Sequence, residues 1–188
     1  EFLRRSLIPS LLEVRRINEY RSNGEIELFE TAKVYLPVDG APLPDQPTKL
    51  ALVSEREYAH IKGVAESLVA YLSPSTQVIW KSCQFELLDS NRSGELWAGG
   101  TRLGIFGEVS QSGRKLFGLR SRATVCELDL DALAKLSVLT RKHQNLSLFP
   151  PVSRDFNFVM DDMVCWTDLE STVRDVVGPL LEQIRYRE

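Results

Sequence analysis

Histidine and cysteine residues, which most often carry catalysis or bind metals, are few and scattered in this chain. The two histidines, His60 and His143, have no cysteine or serine partner at a recognisable spacing. Cys83, Cys126 and Cys165 are far apart and form no CxxC motif, which indicates reduced thiols rather than a zinc site. The sequence therefore predicts no metal site and no cofactor on this chain.

Four glycines between residues 99 and 107 could suggest a phosphate-binding loop. Gly99, Gly100, Gly104 and Gly107 match neither GxGxxG nor a Walker motif, and no helix follows immediately. Two apolar segments flank Gly99-Gly100, which is typical of a two-residue β-hairpin. We therefore interpret these glycines as turn and close-packing positions.

Basic residues form two groups that could contact a nucleic acid. The formal net charge is -3, so a phosphate contact would have to be local. The first group is either a solvated face or a patch that contacts RNA or another subunit: Arg114, Lys115, Arg120 and Arg122. The second group could reach phosphates near the end of the chain, because such contacts require only positive charge and reach: Arg154, Arg174, Arg185 and Arg187. Arg154 is equally well explained as a structural residue at a strand entrance.

The first elements that would position these residues are a helix over 3–18 and a long strand over 25–37. Leu7, Leu11 and Val14 recur at helical spacing, with Ser6 as a predicted N-cap. Glu30 interrupts the apolar face of the strand and needs a partner, for which Arg4 and Arg5 are nearest in sequence. A structural ion pair or a bulge that turns Glu30 outward is favoured over a catalytic carboxylate.

The remaining periodicity predicts an α+β fold with a mainly antiparallel sheet and flanking helices. Strands are predicted over 50–54, 78–88, 96–98, 101–108 and 123–130, and a polar turn over 89–94. Helices are predicted over 55–72, 110–117 and 131–139. These elements form a predicted core domain over 1–139, and a polar segment over 140–151 is the predicted linker.

Residues 152–188 are predicted to form the N-terminal half of a ferredoxin-like β-α-β unit. Its strand spans 155–161, its helix starts at a capping box over 167–170, and a partial strand follows from 180. The chain lacks an initial Met, so we expect it to be a piece of a longer protein. No signal peptide is visible in these residues, and no apolar run reaches the ~20 residues that cross a bilayer.

Six segments along the chain form a recognisable series: LRRSLIP from Leu3, ELFETAKVY from Glu27, IKGVAE from Ile61, LGIFGEV from Leu103, CELDLDAL from Cys126 and FPPVSRD from Phe149. In this order they resemble the beta subunits of bacterial phenylalanyl-tRNA synthetases. The resemblance implies a class II synthetase core without catalysis, followed by the start of a ferredoxin-fold anticodon-binding domain. It also implies a cytoplasmic, membrane-free enzyme of two alpha and two beta subunits. In that enzyme the alpha subunit joins phenylalanine to tRNA with ATP and Mg²⁺.

This resemblance assigns roles to some of the residues above. Leu7, Leu11 and Val14 become candidates for contact with the alpha subunit, and the arginines of 152–188 become candidates for contact with tRNA. The regions of the family that edit products or bind magnesium lie upstream of this chain and are not assigned to it.

Two segments argue that the chain is inactive alone. In class II synthetases the strand that corresponds to 25–37 ends with an arginine that binds ATP, and Leu36 stands there instead. No arginine occurs from Ala123 to Thr140, where Asp129 and Asp131 would repel a triphosphate. Two alternatives stay open, a free-standing RNA-binding module and a small-molecule regulatory domain that reuses the fold.

Overall fold

The computed structural model describes residues 3–21, 25–138, 140 and 149–187. The chain divides into two compact units, Glu1–Arg141 and Lys142–Glu188. The first contains α1 (Ile8–Glu19), β1 (Glu27–Lys33), β2 (Thr48–Ser54), α2 (Tyr58–Leu72), β3 (Val78–Ser82), β4 (Leu88–Ala98), β5 (Thr101–Val109), α3 (Gln111–Phe117), β6 (Thr124–Asp129) and α4 (Leu130–Leu136). The second contains α5 (Trp166–Val177) and a 3₁₀ turn (Gly178–Leu180).

The six strands form one antiparallel sheet in the order β1-β2-β6-β5-β4-β3. Successive side chains of a strand point to opposite faces, so the inner strand β6 supplies two cores. Val125 joins the cluster beneath α1, whereas Cys126 and Leu128 join the cluster beneath α2 and α4. The predicted α+β fold with a mainly antiparallel sheet is confirmed.

Helix α1 begins at Ile8, five residues later than predicted. Pro9 lies in its first turn, Leu7 is the N-cap residue, and the Ser6 hydroxyl accepts the N–H of Ile8 at 3.1 Å. The residues before Ile8 use their hydrogen bonds elsewhere, which prevents an earlier start. Leu7 N–H donates to Glu127 Oε1 at 2.6 Å, and the carbonyl of Arg4 accepts from Tyr35 N–H at 2.8 Å.

The β4–β5 hairpin turns at Gly99 and Gly100, as predicted. Their φ angles are 56° and 77°, the left-handed region that a type I′ turn requires at both central positions. The prediction was wrong about the preceding segment, because β3 ends at Ser82 and the polar residues 89–94 belong to β4. Leu88 pairs with Val109 and Ser93 pairs with Gly107, so residues 89–92 form an irregularity in β4 opposite the single residue Glu108 of β5.

The second unit contains helix α5, but residues 149–187 contain no strand. The strands predicted over 155–161 and from 180 were therefore wrong for the described residues, since a strand requires a paired neighbour. Phe156 and Phe158 instead stack on each other, with ring centroids 6.2 Å apart. Cys165 is the N-cap of α5 and Thr167 lies inside the helix, so the predicted capping box is not formed. The linker predicted over 140–151 lies largely outside the described residues.

None of the helices in the described residues is long and apolar enough to cross a membrane.

Candidate functional site

Leu36 lies just beyond β1, at the position where the resemblance led us to look for an ATP-binding arginine. Leu36 N–H donates to the carbonyl of Asp45 at 2.9 Å, and Asp45 N–H donates back at 2.9 Å. Strand β1 ends at Lys33, short of the predicted Pro37, and the bond from Val34 N–H to Pro47 O and this bridge continue its register past that end. Pro47 has no N–H to donate back, which interrupts the regular pairing. The Leu36 side chain packs on the core beneath α1, so this position has a structural role.

Asp129 and Asp131, at the junction of β6 and α4, also have structural roles. Asp129 caps α4 by accepting Ala132 N–H at 2.9 Å and pairs with Lys49 at 2.8 Å. Burial raises the pKa of the Asp129 carboxyl, but the Lys49 ammonium and backbone donors outweigh it and lower that pKa overall. Asp131 accepts Thr48 N–H at 2.9 Å. Among the described residues, no group of three or more His, Cys, Asp or Glu could hold a metal ion.

A small cavity opens beside this junction, on strands β2, β5 and β6. Its volume is about 110 Å³, and it is lined by Lys49, Arg102, Leu103, Gly104, Ile105, Glu127 and Asp129. Ligand pockets typically measure about 300–1,000 Å³. Lys49 and Arg102 are already paired with Asp129 and Glu95. The cavity therefore does not fit ATP, and we assign no nucleotide chemistry to it.

Glu30 forms the structural ion pair that its position in the strand predicted. Arg4 Nη1 lies 2.8 Å from Glu30 Oε1, and Arg4 Nε donates to the carbonyl of Lys33 at 3.2 Å. Arg4 thus ties the segment before α1 to β1. A catalytic role for Glu30 has no support in this geometry.

Arg15, which the sequence patterns did not single out, has a completely buried side chain. It pairs with Glu19 one turn later, and its Nη2 donates to Ser121 Oγ and to the carbonyl of Arg122, both at 2.7 Å. Arg15 therefore joins α1 to the loop before β6. Adjacent Arg15 and Arg16 look alike in sequence. The one signal that could have distinguished them is helical spacing. Arg15 follows the buried Leu11 by four residues and therefore lies on the same buried face of α1.

Glu19 is stabilised as a carboxylate by the same network. Burial alone would raise the pKa of Glu19. Hydrogen bonds from Ser121, the N–H of Arg120 and Arg15 outweigh burial and lower this pKa from its ordinary 4.5 to about 2.

The three residues predicted to contact another subunit lie in different environments. Leu7 and Leu11 are part of the core beneath α1, where their packing within this chain explains their apolar character. Val14 is 44% exposed. Only Val14 of the three presents a side chain that a partner could cover.

The four arginines predicted to contact RNA are in the second unit. Arg174 pairs with Glu170 on α5 at 2.6 Å, and Arg187 lies 3.8 Å from Asp155. In the described part of the chain, Arg154 and Arg185 make no ion pair, and both are exposed. Arg154 and Arg185 are therefore the better candidates for phosphate contact.

Comparison with solved structures defines the class of this fold. Two structures of pyrrolysyl-tRNA synthetase from Desulfitobacterium hafniense match it with TM-scores of 0.54 and 0.52. In both alignments 16% of the residues are identical, and the alignment covers 69% of this chain and 48% of the solved chain. The first unit thus has the fold of a class II aminoacyl-tRNA synthetase.

Sequence comparison then identifies the family. The family described as "Phenylalanyl tRNA synthetase beta chain CLM domain" matches residues 1–130. The phenylalanine–tRNA ligase beta subunit of Rhodopirellula baltica is 34% identical over 99% of this chain, and that of Clostridium tetani is 27% identical over 97%. The chain belongs to the phenylalanyl-tRNA synthetase beta-chain family. It spans 29% and 24% of the length of these two relatives.

Proposed function

We propose that this chain is the non-catalytic core portion of a phenylalanine–tRNA ligase beta subunit, which supports aminoacylation by assembling with an alpha subunit and with tRNA. One observation carries the proposal. Leu36 and Asp129 lie in the two segments that would bind ATP in a catalytic core. Both fall within the family match over 1–130 and make structural contacts, as does Asp131 one residue beyond the match.

The chemistry of the whole enzyme belongs to the alpha subunit in this proposal. ATP and Mg²⁺ bind there, two alpha and two beta subunits assemble, and the enzyme works in the cytoplasm. The small cavity beside Asp129 supports this division, because a volume of about 110 Å³ leaves no room for a nucleotide. A small-molecule regulatory site at this particular cavity is disfavoured by the same volume.

The proposal is tested by pyrophosphate exchange into ATP with phenylalanine. We expect no exchange above background for the purified chain alone. We expect exchange when an alpha subunit from the same organism is added with its full beta partner. Exchange by the chain alone at a rate comparable with that of the complete enzyme would refute the proposal.

Assembly is tested with Val14 on α1. Val14→Glu places a charge on an exposed apolar position, and we expect it to reduce co-purification of the beta subunit with alpha at least fivefold. Val64→Glu is the matched control, because Val64 is 38% exposed on α2, which packs on the other face of the sheet. Equal loss with both variants would contradict an interface at α1.

A further inference from the structure

The end of α3 and the last turn of α1 meet at Gly118. Gly118 has φ of +64° and ends α3 by donating its N–H to the carbonyls of Arg114 and Lys115. A Cβ at Gly118 would lie 3.3 Å from Arg16 Cδ, so the Arg16 stem lies across this turn. Arg16, Arg114 and Lys115 are thus neighbours although they come from two helices.

The loop after Gly118 adds a fourth cation and an aromatic ring. The guanidinium carbon of Arg120 lies 3.9 Å from the centroid of the Tyr20 ring, and Tyr20 is the C-cap of α1. Tyr20 is 56% exposed. We call this surface the α1–α3 basic patch, which consists of Arg16, Arg114, Lys115 and Arg120 beside Tyr20.

The cations of the patch are grouped together without acidic partners. Within the described residues, none of the four makes an ion pair, whereas neighbouring Arg15 and Arg122 pair with Glu19 and Glu108. Glu19 lies beneath the patch, but Arg15, Ser121 and the Arg120 N–H occupy its carboxylate. Glu13 precedes Arg16 by one turn of α1 and forms no ion pair in the described part of the chain.

A purely structural explanation covers only part of this arrangement. Arg114 and Lys115 lie in the last turn of α3, where cations are favourable to the helix dipole. The same explanation covers Arg16, which lies in the last turn of α1, but not Arg120, which lies in the loop after α3. The Arg114 Nε is shielded from solvent and has no hydrogen-bond acceptor, so no internal group satisfies this donor. A local cationic cluster on a chain of net charge -3 is complementary to an anionic partner.

We propose that the α1–α3 basic patch binds the phosphate backbone of RNA. Planar guanidinium groups match phosphate oxygens in a two-point geometry, and this patch offers three of them. The exposed Tyr20 and the stacked Arg120 provide planar groups on which an unpaired base can stack. An acidic protein segment would use the charges but not these planar groups. Identifying the RNA as tRNA rests on the proposed function. The α1–α3 basic patch lies in the first unit and is separate in sequence from the arginines of 152–188.

The test measures binding of labelled tRNA to the full chain by fluorescence anisotropy at several salt concentrations. The double variant Lys115→Gln, Arg120→Gln removes two exposed cations of the patch. We expect its affinity to fall about tenfold and the slope of log K against log salt to become shallower by about 1–2. The matched control is Arg92→Gln, Arg102→Gln, which removes two cations already paired with Glu108 and Glu95. We expect less than a twofold loss from the control.

Three outcomes would overturn the proposal. These are an equal loss with both double variants, no measurable tRNA binding by the unmodified chain, and tighter binding of polyglutamate than of RNA. Failure of this inference is separable from failure of the proposed function. If the patch variants bind tRNA normally while the beta subunit still co-purifies with alpha, RNA binding by the α1–α3 basic patch is refuted and the proposed function is not. Patch-dependent RNA binding without alpha assembly would refute the proposed function alone.

Discussion

Replacement of Arg15 by Met is expected to destabilise the first unit by about 3 kcal/mol. Removing one partner of a buried ion pair usually costs about 3–5 kcal/mol, because the other charge is left uncompensated. Here Glu19 keeps donors from Ser121 and the Arg120 N–H, which favours the lower end of that range. The carbonyl of Arg122 also loses its donor. Met retains much of the apolar stem, so a large cavity is avoided.

The assay is urea unfolding followed by tryptophan fluorescence in a Trp166→Phe background. Trp80 and Trp97 then report on the first unit alone. With a slope of about 2 kcal/mol per molar urea, the midpoint should fall by about 1.5 M. Arg102→Met is the matched control, because the Arg102–Glu95 pair is partly exposed and such pairs contribute less than about 1 kcal/mol.

A second substitution separates lost charge pairing from lost packing. Glu19→Gln removes the carboxylate that Arg15→Met leaves unpaired, so the double variant should be about 1 kcal/mol more stable than Arg15→Met alone. The reasoning is refuted if Arg15→Met costs less than about 1 kcal/mol, or if adding Glu19→Gln destabilises the protein further.

Two further predictions concern the loss of stability in acid and the close packing of Gly104. Because the folded pKa of Glu19 is about 2, below its ordinary 4.5, its stabilisation is complete above pH 4.5 and is lost as the pH falls towards 2. Unfolding free energy measured across this window should fall by about 2–3 kcal/mol more in the unmodified chain than in Glu19→Gln; parallel curves would contradict this. Gly104→Ala should destabilise the sheet by more than about 3 kcal/mol, because its Cβ would lie 2.0 Å from the carbonyl oxygen of Glu127. Gly63 is the matched control, because it lies in the middle of α2 with open space around it, and Gly63→Ala should stabilise the protein by about 0.5–1 kcal/mol. Both variants are compared by thermal melting. Equal destabilisation by the two variants would show that the close approach at Gly104 is unimportant.

Local patterns predicted the first unit well where a short-range rule decides the structure. Gly99-Gly100 predicted the hairpin, Ser110 and Gly118 bracketed α3, and Glu30 predicted an ionic partner. Each of these outcomes depends on a turn, a cap or an alternating face that a few neighbouring residues specify. The overall α+β class followed from their sum.

The failures occurred where distant contacts decide the structure. Arg15 became a buried residue because the loop that contains Ser121 supplies its acceptors across more than a hundred residues of chain. The polar segment 89–94 became part of β4 because β5 pairs with Leu88 and again with Ser93 and Gly94, on the two sides of a register shift. In the second unit, an alternating pattern over 155–161 predicted a strand, but no partner strand pairs with it in the described residues.

The bridge between Leu36 and Asp45 has a consequence for how this family can evolve. Leu36 packs on the core, and Asp129 and Asp131 fix α4 and the start of β2. A substitution that introduced a phosphate-binding side chain at any of these positions would remove a structural contact before any activity appeared. Several such substitutions together would add their costs, because each removes a different contact. Selection for folding therefore acts against phosphate-binding side chains at these positions.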